Sequence, residues 1–138
     1  MNKPFKLIAI ALSLLLATSQ MSCDEDVCDD VACTLVLIRI SVTITDENQD
    51  PVELDSFEVI NLDTNENITV SLLPEELEES IRQGRYPLVE DGSIGVNLQQ
   101  EIQFRGFIDN QEVIRSNYVI SSDCCHINLV SGDVDLTL

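Results

Sequence analysis

Along residues 35–45, "LVLIRISVTIT", apolar and polar side chains alternate. Val36, Ile38, Ile40, Val42 and Ile44 share one face, and Arg39, Ser41, Thr43 and Thr45 share the other. Strict period two predicts a half-buried strand. "SFEVINL" and "NITVSLL" are also rich in β-branched residues, and the polar "DTNEN" between them predicts a hairpin turn. "EIQFRGFI" sets Ile102, Phe104 and Ile108 in phase, "DNQ" turns, and "EVIRSNYVIS" returns with Ile114, Tyr118 and Ile120. The C-terminal "CHINLVSGDVDLTL" puts Cys125, Ile127 and Leu129 in phase, turns at Ser131-Gly132-Asp133, and continues through Val134, Leu136 and Leu138. Only "PEELEESIRQG" reads as helical, with Pro74 at its start, acids in its first turn, Arg82 near its end and Gly84 as the stop. One or two helical turns are expected there. About seven short strands with one short helix predict a mainly β chain, a single antiparallel β-sandwich.

The first 22 residues follow a different rule. Lys3 and Lys6 precede an apolar run from Leu7 to Ala17, and small or polar residues follow before Cys23. That run falls short of the roughly 20 apolar residues that cross a bilayer as a helix, so it predicts a secretory leader rather than a membrane span. The expected organisation is a leader over 1–22, an acidic tether over 23–33 and a β-sandwich over 34–138, about 116 residues after processing and enough for one domain.

Processing sharpens the charge. The chain carries 7 Lys+Arg against 25 Asp+Glu, a net charge of −18. Both lysines lie in the leader, so five arginines then face all 25 acids, about −20 in total. A surface of that sign repels phosphate backbones, which argues against a nucleic-acid partner, and it disfavours anionic lipid unless a covalent anchor supplies about 0.8 kcal/mol per buried methylene.

The five cysteines divide by role. If Cys23 is the residue at which the leader ends, Cys28, Cys33, Cys124 and Cys125 remain, an even number in an oxidising compartment. Of three connectivities, the one that joins the neighbours Cys124 and Cys125 needs a strained eight-membered ring and is discounted. Strand phase favours Cys33 with Cys125, the inward cysteine, and Cys28 with Cys124, which points outward with His126. Closing a loop of about 90 residues restricts the unfolded chain by roughly 4 to 5 kcal/mol in the entropy model. "DCCH" also suggests a zinc site, but one arm has four residues between its cysteines and the other none, and neighbours on a strand diverge.

Catalytic and metal motifs are few. No Gly-x-Ser-x-Gly, phosphate-cradling loop or His-Glu-x-x-His occurs. Asp46, Asn48 and Asp50 begin like a calcium loop, but Pro51 stands where glycine makes the sharp turn and Phe57 where a bidentate glutamate belongs. No cofactor is expected. A non-enzymatic binding or assembly module follows best, with a protein or glycan partner in the envelope. The alternative is a small hydrolase using Asp/Glu carboxylates or His126.

Two resemblances place these readings. "TSQMSC" resembles the lipobox of bacterial lipoproteins, whose cysteine, Cys23 here, becomes acylated. "CDEDVCDD" resembles the acidic tag by which Bacteroidetes send such lipoproteins to the exterior of the outer membrane, and "SSDCCHINLVSG" resembles a segment of small lipoproteins of that group. "ISVTITDENQDPVELDSFEVINLDTNENI" is similar to the opening of transthyretin-like, carboxypeptidase-regulatory-like domains, with Asp46, Pro51 and Val52 matching. The resemblances imply an Ig-like sandwich held by a lipid on the outer membrane and facing outward.

Overall fold

The computed structural model describes Cys28 and residues 30–138; the leader expected over 1–22 and Cys23 lie outside the described residues. Among the described residues, seven strands and one helix run in the order β1 (Arg39–Thr45), β2 (Ser56–Asn61), α1 (Pro74–Gln83), β3 (Arg85–Glu90), β4 (Gln99–Ile108), β5 (Gln111–Ser122), β6 (Ile127–Ser131) and β7 (Asp135–Thr137). They form two sheets, β3-β1-β7 and β2-β4-β5-β6. Pairing is antiparallel except for β7, which runs parallel to β1. The chain is a mainly β, two-sheet protein.

Alternation builds the core. Val42 and Ile44 of β1, Tyr86, Leu88 and Val89 of β3, Val59 of β2, Ile102 and Phe104 of β4, and Tyr118 and Ile120 of β5 are buried and form one continuous cluster between the sheets. Phe57 stacks against Phe104 at 5.8 Å and tilts against Tyr86 at 5.4 Å. Tyr86 also carries a polar connection into this interior: its hydroxyl donates to the Val52 carbonyl at 2.8 Å and accepts the Leu54 amide at 2.7 Å.

Four expectations are corrected. The first strand begins at Arg39, so Val36 does not join Val42 in the core but is exposed. "NITVSLL" is not a strand. Only Asn67 bridges Ile60, and the Thr69 hydroxyl takes the Val59 amide that a partner strand would have taken. The seventh strand is instead "RYPLVE", buried on both faces, where alternation gives no signal. Its Pro87 is tolerated because β3 is an edge strand, and the β1–β3 register shifts beside it. The helix is ten residues long rather than one or two turns.

Gly84 ends that helix as expected, at φ +61°. A Cβ there would stand 2.6 Å from the Ile44 carbonyl oxygen, so the position requires glycine for space as well as conformation. The turn between β4 and β5 places Asp109 and Asn110 at φ +52° and +59°, the left-handed pair that a tight hairpin needs.

Candidate functional site

The β5–β6 connection carries the chemistry. Residues 123–126 are not extended but fold into a tight turn, which corrects the outward and inward strand phases expected of Cys124 and Cys125; both are half-buried. Asp123 makes the turn. Its Oδ1 accepts the amides of Cys125 at 2.7 Å and His126 at 2.8 Å, and its own amide donates to the His126 carbonyl. These two amides hold the Asp123 carboxyl below the ordinary aspartate range. Leu129, expected inside, is 37% exposed because β6 is an edge strand whose register with β5 shifts near its end.

His126 leaves this turn toward the end of β3. Its Nδ1 lies 2.8 Å from Asp91 Oδ2, and its Nε2 lies 2.9 Å from the Thr34 hydroxyl. In the neutral ring, an Nδ1 proton on the carboxylate leaves Nε2 to accept from Thr34. Asp91 is spent further: Oδ2 also accepts the Ile38 amide at 2.8 Å, and Oδ1 accepts the Ile127 amide at 3.0 Å. Burial opposes ionisation of Asp91, but the Ile38 amide, His126 and the Ile127 amide outweigh it and lower its pKa. One carboxylate therefore ties the segment before β1, the end of β3 and the start of β6.

A disulfide reinforces the same place. Cys33 is bonded to Cys125 across 92 residues, with Cα atoms 5.2 Å apart, which is the expected pairing, although the strand phase offered as its reason does not hold in the 123–126 turn. Cys28 and Cys124 are each disulfide-bonded as well, consistent with the expected Cys28–Cys124 partners. His126 does not face solvent beside the bridge, as a lone polar residue would. It is three-quarters covered and held at both nitrogens.

The arrangement Thr34 Oγ1, His126, Asp91 has the order of a nucleophile, a base and an orienting carboxylate. A shallow depression of about 230 Å³ adjoins it, lined by Asp91, Ile94, Val96, Cys124, Cys125 and His126. Sequence reasoning singled out His126 but missed Thr34 and Asp91. The signals available were Asp91-Gly92, a turn dipeptide, and Asp123 two residues before Cys125, the spacing of an Asx turn.

Other predicted residues stay apart from this site. Asp46, the start of the calcium-like "DENQD", turns its Oδ1 onto the amides of Asn48 and Asp50. Among the described residues, no group of three or more His, Cys, Asp or Glu side chains converges on one point where an ion could sit. The outer face of the larger sheet instead carries a charge ladder. Arg105 bridges Glu58 at 2.6 Å and Glu112 at 2.7 Å, and Arg115 meets Glu112 at 2.6 Å. The Arg115 and Arg105 guanidinium groups hold the Glu112 pKa at about 2.

Comparison with protein-family models, with curated proteins and with solved structures finds no match.

Proposed function

We propose that the chain is a lipid-anchored sandwich of the transthyretin-like, carboxypeptidase-regulatory-like kind. It is held on the outer membrane by Cys23, faces the exterior, and works without catalysis by binding or assembling with an envelope protein or glycan. The observation that supports this reading is the way the polar groups around His126 are engaged with one another. His126 uses Nδ1 on Asp91 and Nε2 on Thr34, while Asp91 also accepts the Ile38 and Ile127 amides. Such groups fasten elements together. The laddered outer face of β2-β4-β5-β6, where Arg115 is about half exposed and Arg105 and Glu112 are partly so, is the polar surface we assign to contact.

Crosslinking the anchored protein in its own envelope, followed by recovery and mass spectrometry, tests this. A reproducible partner lost on reversing Arg105 and Arg115 to glutamate supports it; recovery of the protein alone overturns it.

The Thr34–His126 hydrogen bond favours a second reading, a small hydrolase in which Thr34 Oγ1 attacks and His126 takes its proton. A fluorophosphonate that labels Thr34, and fails to do so in His126→Ala, would replace the first reading with this one.

A further inference from the structure

Eleven large apolar side chains are exposed among the described residues, and six of them gather at one end of the sandwich. These are Val31, Leu35, Val36, Leu37, Val96 and Leu98. Their grouping follows from printed contacts of their neighbours. Cys33 is bonded to Cys125, and Thr34 is hydrogen-bonded to His126, which places the 31–37 segment along the β5–β6 turn. On the other side of that turn, the Ser122 amide donates to the Leu98 carbonyl at 2.8 Å and the Leu98 amide to the Ser122 hydroxyl at 3.2 Å. Leu35 is fully exposed, and Val36 and Leu37 are about three-fifths exposed. Three consecutive apolar residues held open to solvent by a disulfide and a hydrogen bond are a surface feature that needs an occupant.

We infer that this end of the sandwich rests in the interfacial layer of the membrane leaflet that carries the anchor; the inference builds on the lipid-anchor reading of Cys23. Chain length argues for this occupant. Ten residues separate Cys23 from Cys33, so the acylated residue and the bridge at the apolar end are never more than roughly 35 Å apart. The opposite end of the sandwich lies farther by the length of β1, about 20 Å. Charge then selects the lipid. Asp91 and Asp123 at this end are engaged with amides and His126, and Arg39, the nearest arginine along the chain, is spent on Glu90 and Glu76. With the acids of "DEDVCDD" directly preceding Val31 in the sequence, the segment suits zwitterionic headgroups and repels anionic ones. Apolar side chains close in sequence to the anchor would add a second membrane signal to the acyl chains.

The chain contains no tryptophan, so a single introduced one reports its surroundings alone. Leu35→Trp and Leu138→Trp proteins, expressed with the leader and purified after processing, are reconstituted into phosphatidylcholine vesicles. Leu138 is exposed and lies at the far end of β1, where its amide donates to the Thr45 carbonyl. The expected result is a blue-shifted emission for Leu35→Trp, quenched about twofold or more by brominated lipid and less so when phosphatidylglycerol is added, with Leu138→Trp unaffected. Vesicles that carry the protein while Leu35→Trp stays unquenched overturn the inference and leave the anchor standing. Protein that stays in the aqueous phase overturns both. A blue shift that appears equally without lipid, in Cys23→Ser protein, and grows with concentration assigns the surface to a second copy of the chain and overturns the membrane assignment.

Discussion

His126 Nδ1 meets Asp91 Oδ2 at 2.8 Å across 35 residues of chain. The contact decides how the "DCCH" turn is held, because Asp91 also accepts the amides of Ile38 and Ile127. Half-buried at the end of β3, this carboxylate joins both sheets where the disulfide does, so a group absent from every sequence motif fixes the surroundings of the one histidine.

Acid should loosen this joint. Asp91 and Asp123 both have folded pKa values lowered from the ordinary aspartate range, so the unfolded chain binds their protons more readily. Their contribution is present above about pH 4 and is lost as the pH falls through the lowered folded values. Asp91→Asn should be less stable at neutral pH and should lose less stability between about pH 5 and pH 2 than the parent. Chemical denaturation across that range checks it; parallel curves for the two proteins would sink it.

The Cys33–Cys125 bridge closes a loop with a sequence separation of 92. Because Cys28 and Cys124 are also disulfide-bonded, Cys33→Ser/Cys125→Ser opens only the small ring between two neighbouring bridges and should lower unfolding free energy by about 2 kcal/mol, with β1 keeping its pairing to β3 and β7 and β6 its pairing to β5. Urea titration gives the magnitude, and amide exchange in β1 shows whether pairing survives. A loss of about 4 kcal/mol or more would refute this, since it would mean that no second bridge closes the same long loop.

Removing the Tyr86 hydroxyl leaves the ring in place and strands two backbone groups, the Leu54 amide and the Val52 carbonyl. Tyr86→Phe should therefore cost about 2 kcal/mol, more than a solvent-exposed hydrogen bond does. Thermal unfolding measures the change, and an unaltered midpoint would show that water replaces the hydroxyl.

Cys23 should carry lipid, because the leader ends in a lipobox-like "TSQMSC" and the other four cysteines are disulfide-bonded. Cys23→Ser should turn a membrane-bound protein into a soluble one. Mass spectrometry that finds Cys23 unmodified, with the leader cut elsewhere, would refute this. Protease added to intact cells should also cut the parent protein; protection until lysis would put it on the periplasmic side.

Several features were determined by the sequence alone, and each rests on local physics. Alternation marked β1, β4 and β5, since a half-buried strand must show one face to water, and β-branched residues marked β2; in β6 the strand was legible but the side that Leu129 faces was not. Gly84 ended the helix where only a residue without Cβ fits against Ile44. The count of thiols left two pairings open, and the nearness of Cys33 to the first strand favoured the one that forms, Cys33 with Cys125. Other features required the tertiary structure. β3 is buried on both faces and holds a proline, so neither periodicity nor propensity announces it. "NITVSLL" has every strand propensity, yet the Thr69 side chain satisfies the Val59 amide, and pairing ends after one bridge. Thr34, Asp91 and His126 carry no common spacing, being brought together by the β1–β3 pairing, the β5–β6 turn and the disulfide. Local composition sets which elements form, but a site built from three of them exists only once their long-range contacts have closed.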